Sequence, residues 1–184
     1  IMYLNPKVSQ HKPFKDSTKN IVWKYDEQQF NAWCEGQTGF PIIDAAMRQL
    51  KHEGWMHNRL RMVVAMFFTK NMFHDWRLGE KFFMENLIDG DFSSNNGGWQ
   101  WSASTGTDAA PYFRVFNPIS QSEKFDKSGA FIRRYVPELK NLNSKEIHSP
   151  AEGLLYPEGY PRPMLNLKET RQLAIETFKN HKDI

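Results

Sequence analysis

Along the middle of the chain apolar residues return every three to four positions, a spacing that predicts helices and not strands. Ile42, Ile43, Ala46, Met47 and Leu50 form one such stripe. It opens at Thr38-Gly39-Phe40-Pro41, with proline in the first turn where its missing N–H costs nothing, and it stops at Gly54. Asn58 to Met72 carries a wider apolar face of Leu60, Val63, Val64, Phe67 and Phe68, interrupted by Arg59, Arg61 and Lys70. A further start at Asp75 leads through Leu78, Phe82, Phe83, Leu87 and Ile88 to a break at Gly90. Phe30 to Glu35 predicts a short helix ended near Gly36, Gly129 to Leu139 another, and Leu167 to His181 a terminal one. His148 to Pro163, with its prolines and glycines, predicts an extended surface loop. No useful run of β-branched residues keeps a period of two, so the predicted fold is all-α.

One stretch does not fit a packing role. Asp89 to Pro118 reads DGDFSSNNGGWQWSASTGTDAAPYFRVFNP and concentrates carboxylates, carboxamides, paired glycines and two tryptophans. If Phe92 to Ser102 is helical, Asp91, Asn95 and Trp99 stand at i, i+4 and i+8 on one face, and Trp101 points elsewhere. A carboxylate, a carboxamide and an indole on one wall suit a flat heteroaromatic ligand with polar edges. Taken alone, Asp89 and Asp91 around Gly90 are a turn with capping carboxylates. Against that stands Arg61, which on an apolar helix needs a partner, and whose guanidinium could grip one of these carboxylates bidentately in a dry pocket. Asn58, Arg61 and Met62 share a helix face and offer the same pocket a second wall.

The bulk properties narrow the classes. The 184 residues carry a net charge of +3, which suits a polyanionic partner without establishing one. Cys34 is the only cysteine, which excludes an internal disulfide and a cysteine-based zinc site and fits a reducing compartment. The motifs G-x-S-x-G, the P-loop, G-x-G-x-x-G and H-E-x-x-H are absent, and no metal is expected. No apolar run reaches the roughly 20 residues that span a bilayer. A soluble, intracellular monomer is expected, in the cytoplasm and nucleoid or in a nucleus. The chain opens on Ile1, and Ile1 to Leu4 reads as part of an element, so a fragment is expected. The six tryptophans are core residues by default, although indoles also stack on nucleobases and relay electrons. Arg59, Arg114 and Lys124 could grip phosphates.

The ordered blocks TGFPIIDAAMRQL, GWMHNRLRM, DWRLGEKFF, LIDGDFSSNNGGWQWSASTGTDAAPYFRVFNP and QSEKFD resemble the flavin-binding domain of the photolyase and cryptochrome family. They are most similar to the class I cyclobutane pyrimidine dimer photolyases of bacteria and fungi. The resemblance implies an all-helical domain around a folded FAD, which, reduced and excited by blue light, lends an electron to a dimer flipped out of UV-damaged DNA. Carried over by motif position, Trp55, Asn58, Arg61, Asp89, Gly90, Asp91 and Asn95 are expected beside FAD, with Asn95 near flavin N5. Trp99, Trp76 and Trp23 fall where the family keeps its photoreduction relay, in order from flavin to surface. Asn58, Arg59, Met62, Trp101, Arg114 and Gln121 match positions at the lesion or its flanking phosphates. WMHNRLRM differs from the histidine-bearing version of six-four photolyases, and Asn95 from the aspartate of plant cryptochromes. Cyclobutane dimer repair is therefore expected, with a cryptochrome-type photoreceptor as the alternative and an inert helical fragment as a third reading. The family's N-terminal antenna domain, its chromophore and the phosphate-binding loop of the flavin domain have no counterpart in these residues. Weak or no FAD retention is expected of the 184 residues by themselves.

Overall fold

The computed structural model describes residues 12–153 and 155–181. The expectation for Ile1 to Leu4 lies outside them. Eight α-helices run through the described residues: α1 Glu27–Glu35, α2 Pro41–Glu53, α3 Asn58–Met66, α4 Trp76–Asn86, α5 Phe92–Ser102, α6 Pro118–Phe125, α7 Ala130–Tyr135 and α8 Leu167–Asn180. Short 3-10 turns lie at Asp16–Thr18, Pro137–Leu139, Glu146–His148 and Pro150–Glu152. Among the described residues the only β pairing is an isolated bridge between Lys24 and His74.

α2 is the axle. Its apolar stripe is so wide that Pro41 to Met47, Gln49 and Leu50 are all buried, and α1, α3, α6 and α7 pack around it. Proline occupies the first turn, and Gly54 ends the helix in the left-handed conformation at φ 65°. Buried Asp44 fixes its start by accepting from Thr38 N (2.7 Å), Thr38 Oγ1 (2.6 Å), Gly39 N (3.0 Å) and the Tyr160 hydroxyl (2.5 Å). Burial raises the Asp44 carboxyl above its usual range, and these donors pull the other way. Tyr160 belongs to the segment predicted as a surface loop. That segment is instead anchored through its buried tyrosine.

Three boundaries differ from the expected ones, each for a local reason. α1 begins at Glu27 because Asp26 caps it, accepting from Gln29 N at 3.0 Å. The helix expected over Gly129 to Leu139 ends at Tyr135, and Pro137, which lacks an N–H, restarts the chain as a 3-10 turn. The helix expected over Asn58 to Met72 is α-helical only to Met66 and widens into a π turn over Phe67–Asn71. There Met72 N bonds Phe67 O at 3.0 Å and the Thr69 hydroxyl bonds back to Ala65 O at 2.8 Å. The wider turn carries Lys70 fully into the interior, where the hydrophobic pattern alone had it interrupting an apolar face.

α4 and α5 pack closely, and α5 also packs on α3. Gly79 makes the first contact possible: a Cβ there would lie 2.1 Å from Trp99 Cη2. The Trp99 ring is held by Phe83, Phe68 and Trp33 at centroid distances of 5.1, 5.7 and 6.1 Å, all edge-on.

Candidate functional site

A cavity of about 100 Å³ opens where α3 faces α5. α3 contributes Asn58, Arg61, Met62 and Ala65; α5 contributes Ser94, Asn95, Gly98, Trp99 and Ser102; Phe83 and the capping residue Asp91 complete the wall. The i, i+4, i+8 spacing of Asp91, Asn95 and Trp99 thus lines one face, opposite the i, i+3, i+4 set of Asn58, Arg61 and Met62.

The polar groups here are oriented by the fold. Arg61 Nε donates to Met56 O at 2.7 Å, and one terminal nitrogen donates to both Asp89 oxygens, at 2.9 and 2.7 Å. The pair forms through a single guanidinium nitrogen, not the two-nitrogen fork, and its side chains are 26% and 45% exposed. It is therefore wet at its edge, correcting the expectation of a dry bidentate clamp. Solvent makes its contribution to stability small, and its role is to aim the guanidinium. Asp91 caps α5, accepting from Ser94 N at 2.8 Å, and that N–H holds its carboxyl below the usual carboxylate range. The same side chain that caps the helix also lines the cavity. Asn95 Nδ2 donates to Glu80 O at 2.9 Å, which leaves Oδ1 as the free end of the carboxamide.

The cavity fits a planar ligand with polar edges. Trp99 keeps a buried indole N–H without a partner, an acceptor's place in waiting. At Gly98 a Cβ would meet nothing within 4 Å, so there is open space beside the helix backbone. Hydrogen-bond acceptors from Asp91 and Asn95, a donor from Arg61 and an indole edge are suited to the polar edge of a flat heterocycle seated against this wall.

Not every expected residue converges here. Trp55 and Arg59 line a different cavity of about 390 Å³ with Phe125 and Phe131, where the Arg59 guanidinium sits 5.0 Å from the Phe125 centroid. Trp101 lines a third, of about 310 Å³ on the other side of α5, with Asn96 and Gln100. Gly90 is exposed in the turn before α5. Arg114 is exposed and Gln121 half-buried on α6. Trp99 and Trp76 are buried on adjacent helices, and Trp23 is half-buried against Phe73 and Phe178 at 5.2 and 6.1 Å. Ala65, Phe83, Ser94, Gly98 and Ser102 were not anticipated in the wall; the same helical spacing that selected Trp99 also selects Gly98 and Ser102 on its flanks.

Residues 1–180 match the family model described as the FAD binding domain of DNA photolyase. The chain belongs to that family. The deoxyribodipyrimidine photo-lyases of Vibrio cholerae and Escherichia coli are each 50% identical to it, over 99% and 95% of this chain and 39% and 38% of their own length. That of Neurospora crassa is 52% identical over 95% of this chain and 30% of its own, so the expected likeness to bacterial and fungal enzymes is borne out. A class III photolyase from Agrobacterium tumefaciens superposes with a TM-score of 0.94 at 43% identity, covering all of this chain and 40% of that one. A Synechocystis cryptochrome superposes at 0.81 and 39% identity, over 86% of this chain and 35% of that one. The chain thus spans about two-fifths of most of the photolyases it matches. No helix among the described residues is long and apolar enough to cross a membrane.

Proposed function

We propose that these residues form the FAD-facing wall of a light-driven DNA repair lyase acting on cyclobutane pyrimidine dimers. The observation that carries the reading is the convergence of Asn58, Arg61, Met62, Asp91, Asn95 and Trp99 on one cavity, in a chain of the photolyase family. Reduced FAD held against this wall would supply light-driven one-electron chemistry, with the electron returned once the two carbon–carbon bonds of the cyclobutane have opened and hence no net redox change.

The chain's own groups bind, orient and shield. Arg61, aimed by Met56 O and Asp89, presents positive charge and a donor to the electron-rich edge of the ring system. Asn95, turned by Glu80 O, offers Oδ1 as an acceptor for a ring N–H, which favours a protonated reduced state. Asp91, its carboxyl held low by the Ser94 N–H, would accept from hydroxyls of the cofactor's sugar chain. Buried Trp99 borders the cavity and would receive electrons relayed from Trp23 through Trp76. Asn58 and Met62, on the same α3 face, meet the edge and face of the flipped-out bases, while Arg59 and Arg114 hold flanking phosphates. Residues beyond this chain supply the remaining flavin contacts and an antenna domain, and the protein works as a monomer wherever the cell keeps its DNA.

The test is blue-light repair of a cyclobutane-dimer oligonucleotide by the full-length protein with reduced FAD. Loss of the dimer with first-order dependence on light dose is expected. Normal flavin photoreduction with no repair would instead establish the photoreceptor reading, which the likeness to the Synechocystis cryptochrome keeps in play.

A further inference from the structure

A separate cavity of about 90 Å³ is walled by Lys15, Ser17, Thr18, Ser104, Phe178 and His181, with Pro111, Tyr112 and Phe113 at its sides. None of these residues is acidic. Directly behind the wall lies Lys70, fully buried: its Nζ donates to Ser104 Oγ at 2.9 Å and sits 3.5 Å from the Phe178 ring centroid. Among the described residues no carboxylate pairs with Lys70 or with the half-buried Lys15. A buried ammonium without a counterion is costly, and a rigid fold keeps one where something else returns the cost. Burial first, and repulsion from Lys15 second, push the Lys70 ammonium well below its ordinary range.

Ser104 is placed with equal deliberateness. It is a non-glycine residue in the left-handed region at φ 63°, a conformation that structures hold only where the surroundings over-determine it. Lys70 when charged can only donate, so the Ser104 oxygen accepts and its own hydrogen is left for another acceptor. The Thr18 hydroxyl is spent on Lys15 O, and both His181 ring nitrogens face the carbonyls of Thr177 and Asn20. The donors remaining for an occupant are Lys15, Ser17 and Ser104.

We propose that this pocket binds a phosphoryl oxyanion, gripped by Lys15 and by the Ser104 hydroxyl that Lys70 backs with its charge. The volume is about three times a water molecule's share of the liquid, room for a tetrahedral anion. The π turn is what brings Lys70 here. An anion beside Lys70 favours its charged form, so binding draws in a proton; Lys15, Tyr112 and His181 are the other titratable groups facing the pocket.

The test compares melting of the full-length protein in inorganic phosphate and in chloride at equal ionic strength. Phosphate is expected to raise the midpoint by a few degrees through preferential binding to the folded state. Lys70→Met should abolish that response while melting no lower than the parent in chloride, because an apolar chain of similar length replaces a buried amine; Lys15→Ala, at a half-exposed position, should weaken phosphate affinity at least tenfold in titration calorimetry. Calorimetry in buffers of different ionisation heat should show proton uptake in the parent only. Displacement of phosphate by undamaged duplex DNA would assign the site to a backbone phosphate, and failure to displace it would assign the site to a free phosphate. Equal melting in both salts, or a phosphate response kept by both variants, overturns the proposal; if Lys70→Met does not fold, Lys15→Ala decides alone.

Discussion

Gly79→Ala puts the α4–α5 contact to the test. The added Cβ would lie 2.1, 2.5 and 2.8 Å from three ring atoms of Trp99. Carbon atoms prefer about 3.5–4.0 Å, so the ring or the helix must give by about 1.5 Å. Trp99 is 2% exposed and held edge-on by Trp33, Phe68 and Phe83, so the ring can retreat only toward the cavity it lines. Overpacking of this kind costs about 1–3 kcal/mol. Alanine in a helix interior returns about 1 kcal/mol of propensity over glycine. An approach as close as 2.1 Å belongs to the upper part of that cost, about 2–3 kcal/mol, so the net expectation is a loss of about 1–2 kcal/mol, or about 2–8 °C in melting temperature for a chain of this size. Thermal unfolding by circular dichroism measures it, and the displaced indole should also slow photoreduction of oxidised flavin in the full-length protein. A variant that melts at or above the parent would show that propensity wins, and would refute the close packing of Trp99 on Gly79.

In the full-length protein Trp99→Phe should largely block photoreduction of oxidised flavin yet leave repair by pre-reduced flavin nearly intact; loss of both together would assign Trp99 a structural role. Asp91 has a folded-state pKa below its ordinary 3.8, so its cap contributes above that value and is lost as pH falls through the lowered one. Asp91→Asn keeps a capping oxygen and removes the titration, so the gap in melting temperature between parent and variant should close as pH falls below about 4; a constant gap would argue against the cap. Burial, with Glu35 adding to it, pushes the Cys34 thiol up to about 12. Only about one in ten thousand thiols is ionised at pH 8, and disulfide-reagent labelling of the native protein should run roughly a thousandfold slower than in denaturant.

What could be read beforehand was what has a period. The stripes of α2 and α4, the cavity-facing row Asp91, Asn95 and Trp99, and the pairing of Arg61 with Asp89 all follow from helical spacing and from the cost of a lone charge. What could not be read depends on distant partners. The π turn leaves no mark in the apolar pattern, so Lys70 looked like an interruption when it is buried against Ser104, 34 residues away. Trp55 shares a block with Asn58 and Arg61, but it precedes the helix and lines another cavity along with Phe125 and Phe131. The anchoring of Tyr160 to Asp44 across 116 residues has no local trace either, because a loop rich in proline and glycine reads the same whether or not one side chain is pinned.

α5 has a thermodynamic character of its own. Its eleven residues, FSSNNGGWQWS, include two glycines, two asparagines and three serines, and against polyalanine they forfeit about 6 kcal/mol of helix propensity. Such a segment does not wind by itself; a cap at Asp91 and contacts on its flanks hold it. Cavities lie on both sides, one lined by Asn95 and Trp99 and the other by Asn96 and Trp101. Whatever fills either cavity therefore shifts the same coil–helix balance. Two ligands that never touch would favour each other's binding through the winding of one helix, and slowed amide exchange from Phe92 to Ser102 would be its signature.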